Sequence, residues 1–138
     1  MRNLAMREYT RLQTAILLLR LAFEVGNAAK SPDASAIHDL RVAIRRLNVC
    51  LRVFAQFYPG RSAKRIRRQL EGLMELAGEV RNCDIALELL ATAGLSAKIA
   101  MAVRLRDERR KTSSRLSREV RLWKNRGFSR KWRTRLEL

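Results

Sequence analysis

Little of the chemistry that usually marks an enzyme is present in this chain. His38 is the only histidine, and no Ser/His/Asp set, glycine-rich phosphate loop or cluster of carboxylates accompanies it. Nucleophilic catalysis and metal-dependent phosphohydrolysis both lack their usual equipment, so a binding module is expected rather than an enzyme, with no metal and no cofactor. The two cysteines, Cys50 and Cys83, are too few for a metal cluster or a disulfide framework. Cys50 falls near the core side of its helix, which suits a reduced, buried thiol and a cytoplasmic protein. Two prolines, six glycines, no Asn-Gly or Asp-Gly turn and no sustained alternation of apolar and polar residues exclude a sheet protein. Aromatic residues make up only 6% of the chain, which leaves stacking on nucleobases little to work with. The apolar run Ala15 to Phe23 is broken by Arg20, followed by Glu24, and short of the ~20 residues of a span, so no membrane segment is expected.

Acidic residues are scarce too, and that scarcity turns into a positive statement. Thirteen Asp and Glu stand against 30 Lys and Arg, giving a formal charge of +17 on 138 residues. Twenty-four of the cations are arginine, whose guanidinium forks onto phosphate oxygens where lysine acts as a point charge. So large an excess of one sign repels itself and concentrates anions at the surface, which points to an anionic polymer as partner.

Residues 1–138 read as one all-α domain, large enough to bury a core. A first helix is expected from about Leu4 to Ala29, with Leu12, Ile16, Leu19 and Phe23 as its apolar face. Ser31 or Asp33 would cap a second, from about Ala34 to Tyr58. A third runs from about Ser62 to Val80, and a short extra helix from about Asn82 to Ala93. The fourth long helix, about Ser96 to Lys124, keeps Leu105, Thr112, Leu116, Val120 and Trp123 on one side. Residues 125–138 form a basic terminal segment with a weak helical pattern. Four long amphipathic segments with short connections make an antiparallel four-helix bundle.

The second helix carries the most informative pattern. At about 100° per residue, His38, Arg41, Arg45, Asn48 and Arg52 share one sector. Ile37, Leu40, Ala43, Ile44, Leu47, Leu51 and Phe54 fill the neighbouring one, the width of a core stripe. The cations therefore form a ridge along the helix, rising about 4.5 to 10 Å between members. An extended anion can follow such a line; a small anion cannot use all of it. No Glu at i±4 neutralises Arg41, Arg45 or Arg52, as a merely solvated face would show. Arg46 points off the ridge, toward solvent or an acid such as Asp39. Arg61, Lys64, Arg65 and Arg68 on the third helix supply a second wall, with Glu71 and Glu75 on the same side. Arg109 lies among apolar neighbours and needs either a phosphate or an internal carboxylate. His38 is read either as a ligand contact in line with the arginines or as a histidine satisfied by a backbone carbonyl.

His38-Asp39-Leu40-Arg41-Val42-Ala43-Ile44-Arg45-Arg46-Leu47, then Leu51-Arg52-Val53-Phe54, then Ala77-Gly78-Glu79-Val80-Arg81-Asn82-Cys83-Asp84, resemble the CHAD family, the conserved histidine α-helical domain. The specific motifs lie within residues 36–90. The resemblance implies a helical domain that binds inorganic polyphosphate through basic residues lining a channel, and an association with polyphosphate granules. Two departures are visible. Family members usually carry Arg-Asp-x-Asp where this chain has Arg81-Asn82-Cys83-Asp84. The usual domain also holds two bundles related by pseudo-symmetry, and 138 residues suffice for one, so the chain reads as a half-size or truncated member.

The resulting expectation is non-catalytic binding of polyphosphate by His38, Arg41, Arg45, Arg46, Arg52, Arg61, Lys64, Arg65, Arg68 and Arg109. Arg81 and Asp84, spaced i, i+3 at the start of the short helix, are expected to pair and to be structural, with binding as their other possible role. The alternative partner is nucleic acid held nonspecifically through its backbone. A homodimer favoured by ligand is expected, in which two bundles bring their ridges face to face.

Overall fold

The computed structural model describes residues 2–138, with side chains from Leu4 onward. Five α-helices follow one another: α1 (Arg2–Lys30), α2 (Ala34–Val53), α3 (Gly60–Thr92), α4 (Ala100–Asn125) and α5 (Phe128–Arg135), with a 3-10 turn at Ala55–Phe57 between α2 and α3. No strand occurs among the described residues. The four long helices close a ring in chain order: α1 packs on α2, α2 on α3, α3 on α4, and α4 returns to α1. α3 and α4 run in opposite directions, since Arg109 meets Asp84 while Arg115, later on α4, meets Glu79, earlier on α3.

The α2 stripe is buried as its periodicity requires: Ile37, Leu40, Ala43, Ile44, Leu47 and Leu51 all lie in the core. It shares one core with Ile66, Leu70, Leu73, Ala77 and Val80 of α3 and Leu116, Val120 and Trp123 of α4. Asp33 is the cap that starts α2. Its Oδ1 accepts from the Ala36 backbone N–H at 2.8 Å, satisfying one of the free donors at the helix start.

Three expectations are corrected. The face of α1 that enters the core is not Leu12, Ile16, Leu19 and Phe23, which are exposed, but Thr14, Leu18, Leu21, Val25 and Ala28. Both sides of this helix are apolar, so periodicity alone had two solutions. The bundle takes the side that brings Thr14 to Tyr58. α3 is also one continuous helix of 33 residues rather than a long helix and a short one. Glycine at position 78 is tolerated because Ala77 and Val80 are anchored in the core on either side of it. α2 ends at Val53 and not Tyr58, the chain tightening through the 3-10 turn.

The basic terminal segment folds back as α5. Gly127 takes the left-handed conformation (φ 64°) that turns the chain there, a geometry disfavoured for residues with a Cβ. Trp123, Phe128 and Trp132 then form a tight triad, with ring centroids 5.0 to 5.2 Å apart. Burial of Phe128, Trp132 and Leu136 thus fixes a segment whose charge alone suggests a loose tail.

α1 is long and apolar enough, by length and composition, to cross a membrane, with mean hydropathy 1.2 over its most apolar stretch. A helix that buries one side in a bundle meets the same criterion. Under the α1 core face, Thr14 Oγ1 hydrogen-bonds the Tyr58 hydroxyl and lies 3.5 Å from Cys50 Sγ. Cys50 and Cys83 are both free and buried. Burial, ahead of every other influence, drives the Tyr58 phenol well above its ordinary value.

That shift has a defined sign. The unfolded chain ionises Tyr58 near pH 10 while the fold holds it neutral, so the stabilisation is complete below that pH and is lost as pH rises above it. Tyr58→Phe is expected to destabilise the fold by about 1 kcal/mol at neutral pH through loss of the Thr14 hydrogen bond. The same variant should show a shallower fall in thermal midpoint above about pH 10 than the native chain. Parallel alkaline profiles for the two proteins would contradict the assignment.

Candidate functional site

The ridge lies beside the groove between α2 and α3. Arg67 Nε on α3 donates to Asn48 Oδ1 on α2 at 3.2 Å, which fixes the Asn48 flank of α2 against its neighbour. Arg41 and Asn48 are half-buried on that flank, and His38, Arg45 and Arg52 stand outward of them in the open. Arg41 is the one ridge arginine drawn into the groove. Its Nε is shielded from solvent and has no hydrogen-bond partner. A guanidinium N–H so placed is costly unless an acceptor reaches it.

Arg46 sits on the other shoulder of α2, toward α1. With Arg20, His38 and Asp39 it lines a hollow of about 280 Å³. Arg46 forms no ion pair with Asp39. Arg61, Lys64, Arg65 and Arg68 are all exposed on α3. The second wall is not uniform, however. Arg65 turns toward α4 and α5, where it shares a hollow of about 440 Å³ with Gln69, Arg126, Lys131 and Arg135.

The structure separates the free cations from the engaged ones. Six ion pairs occur among the described residues, and their cations are Arg20, Arg81, Arg109, Arg110, Lys111 and Arg115. None of Arg41, Arg45, Arg46, Arg52, Arg61, Lys64, Arg65 or Arg68 is among them. Glu71 and Glu75, which share a side with the α3 cations, form no ion pair with them either.

Arg109 takes the internal of its two readings. Its Nε donates to Asp84 Oδ1 at 2.6 Å, and its Nη2 donates to the Pro32 carbonyl at 3.1 Å. One guanidinium thereby ties α4 to α3 and to the α1–α2 connection. This also corrects the expected Arg81–Asp84 pair: Arg81 instead meets Glu88 at 3.8 Å, because both residues lie within the continuous α3 and not at a helix start. Asp84 accordingly has no helix N-terminus to favour. Burial, ahead of the influence of Thr112 and nearby charges, raises the Cys83 thiol pKa. A buried thiol held in its neutral form is a poor nucleophile. Among the described residues no three His, Cys, Asp or Glu side chains come together as metal ligands.

Two cations escaped the sequence reading. Arg67 sits in the Arg65-Ile66-Arg67-Arg68 run, and only the register of α3 against α2 shows that it faces Asn48. Arg20 looks like an interruption in an apolar helix, yet it reaches the hollow beside His38.

A CHAD domain profile matches residues 15–137 of the 138. The chain belongs to the CHAD family. Domains of this family bind polyphosphate-related ligands and are in general non-catalytic. No curated protein and no solved structure matches the chain.

Asp84 should therefore matter for folding rather than for ligand. Asp84→Ala strands a half-buried arginine and is expected to cost about 2 to 4 kcal/mol in chemical denaturation. Ligand affinity of the folded protein should change less than twofold. A loss of affinity without loss of stability would return Arg109 and Asp84 to the binding surface.

Proposed function

We propose that this chain is a non-catalytic binding protein for inorganic polyphosphate, held along the α2–α3 ridge. The observation that carries the reading is the partition of charge. The carboxylates that form ion pairs engage Arg109, Arg81 and other cations, while the ridge arginines are left without counter-ions and Arg41 Nε is left without an acceptor. The proposed contact residues are His38, Arg41, Arg45, Arg52, Lys64 and Arg68, with Arg46 and Arg61 at the edges. Arg67 joins them through Asn48, Arg65 belongs to the neighbouring hollow, and Arg109 is withdrawn because its guanidinium is already satisfied.

Polyphosphate carries about one charge per unit along a flexible chain and offers only oxygen acceptors. A line of guanidinium forks several ångströms apart matches such a ligand. The helical ring is proposed to be the antiparallel four-helix bundle that forms one half of the two-bundle CHAD architecture. A cytoplasmic setting, at polyphosphate granules, follows from that reading. The second reading is nonspecific binding to a nucleic-acid backbone, which the charge of +17 would favour by itself.

Competition between long-chain polyphosphate and DNA or RNA at matched charge and about 0.15 M salt separates the two. Polyphosphate is expected to win, and its affinity to fall steeply with added salt. Displacement by nucleic acid at equal charge would overturn the proposal.

Within the site, Arg41→Ala or Arg45→Ala should each weaken binding by about 1 to 3 kcal/mol, and Arg→Lys should restore only part of it. Lys111→Ala, already paired with Asp107, and Lys124→Ala, at the far end of α4, should have much smaller effects. Equal losses at all four positions, measured by titration calorimetry, would indicate diffuse attraction and no defined site.

A further inference from the structure

The outer side of α1 repeats a pattern that the bundle does not use. Tyr9, Leu12, Ile16, Leu19 and Phe23 are spaced three and four residues apart in strict alternation, and each is 50 to 60% exposed. This is the 3.5-residue repeat of a helix–helix seam, kept over five consecutive positions, and the bundle packs on the opposite side of the helix. Val49 and Val53 of α2 extend the surface, and they share with Tyr9 a groove between α1 and α2 that Arg45 and Arg46 also line. We propose that this face is a self-association surface, on which a second copy of this chain docks its own α1.

Two arguments select a second copy. The first is charge. Leu12-Gln13-Thr14-Ala15-Ile16-Leu17-Leu18-Leu19 contains no ionisable residue in a protein of net charge +17. Arg20, at the end of that run, is turned onto its own helix, 3.4 Å from Glu24 and stacked over Phe23. Two strongly cationic molecules meet at least cost where neither presents free cations, and the middle of this stripe is such a place. The second is area. The exposed parts of these seven side chains amount to roughly 700 Å² per copy, or about 1,400 Å² buried in a two-fold pair, within the range of stable specific interfaces. A two-fold operation lays the stripe on itself, as an isologous contact requires.

This seam differs from the ridge-to-ridge dimer expected from the sequence. It needs no ligand, and it approaches the ligand ridge at Arg45 and Arg46, which line the groove with Tyr9 and Val53. It also responds to salt in the opposite sense to polyanion binding. Screening weakens the repulsion between two +17 chains, so the dimer tightens as salt rises while polyphosphate binding weakens.

Sedimentation of the ligand-free chain from about 1 to 100 µM tests the proposal, because mass action must drive a real dimer over that range. The expected result is a shift from monomer to dimer, moved to lower concentration by raising salt from about 0.1 to 0.5 M. Ile16→Glu with Leu19→Glu should abolish the dimer, leaving the helical circular dichroism unchanged and, at concentrations where the native chain is also a monomer, the affinity for short polyphosphate within twofold of the native value. Leu12→Ala and Ile16→Ala serve as milder variants, expected to weaken association at least tenfold. A monomer at every concentration and salt would overturn the proposal. So would a dimer unmoved by the α1 substitutions, or a monomer that instead binds uncharged phosphatidylcholine vesicles through the same residues.

Discussion

Thirteen carboxylates have to serve thirty cations in this protein, and much of the structure can be read as the way that shortage is allocated. Asp33 starts α2, Glu119 accepts from the Trp123 indole N–H, and Asp84 meets Arg109 at the junction of three segments. Each of these acids stabilises the fold where removing it would leave a backbone donor, an indole or a guanidinium unsatisfied. Glu24 is buried beneath Arg20, which supplies its one charge partner, while its second oxygen has none. Carboxylates committed in this way are lost to the ridge, and α2 and α3 present their remaining arginines without counter-ions. Self-repulsion is the cost. It is met by a core in which the α2, α3 and α4 stripes interlock and by an aromatic triad that fastens the terminal helix.

α1 shows a second constraint on the same fold. A bundle helix usually needs one apolar stripe, and a surface helix of a highly charged protein needs charge on its other side. α1 has apolar residues on both. The inner side holds the ring together through Leu18, Leu21, Val25 and Ala28, with the Thr14–Tyr58 hydrogen bond on the same side. The outer side stays apolar although nothing in the monomer covers it. Exposed apolar side chains in a regular seam are a different matter from scattered ones, because a contiguous patch has an area that association can use.

How much of this was legible in the sequence depended on whether a segment had one solution or two. α2 had one: a single apolar stripe, a single cap region and cations on the flank, so its core side follows from periodicity up to Leu51. On α4 the apolar side and the half-buried place of Arg109 agree with the structure, although the helix starts at Ala100 and not at about Ser96. α1 had two apolar faces, and which of them is buried depends on contacts with residues distant in sequence, Thr14 with Tyr58 among them. The break expected after Val80 failed because glycine in a helix costs only about 1 kcal/mol, less than the packing of Ala77 and Val80 provides. Arg65 and Arg67 could not be sorted between two walls by spacing, because α3 is flanked by basic neighbours on both sides and only its register separates them.

Ridge and seam meet at Arg45 and Arg46, and beyond that edge they are coupled through charge. Two copies joined along α1 bring two sets of unpaired arginines onto one particle, and the work of assembling them rises with the net charge each copy carries. A polyanion lying on either ridge removes part of that charge and so lowers the work of closing the seam. Linkage then requires the reverse as well: a paired protein presents a higher local density of cations and holds a polyanion more tightly than a single copy does. If the ligand is longer than one ridge, it can pass from one copy to the other, and the second contact becomes intramolecular. The same chain can in this way combine a basic surface that favours long polymers with an apolar seam on its first helix.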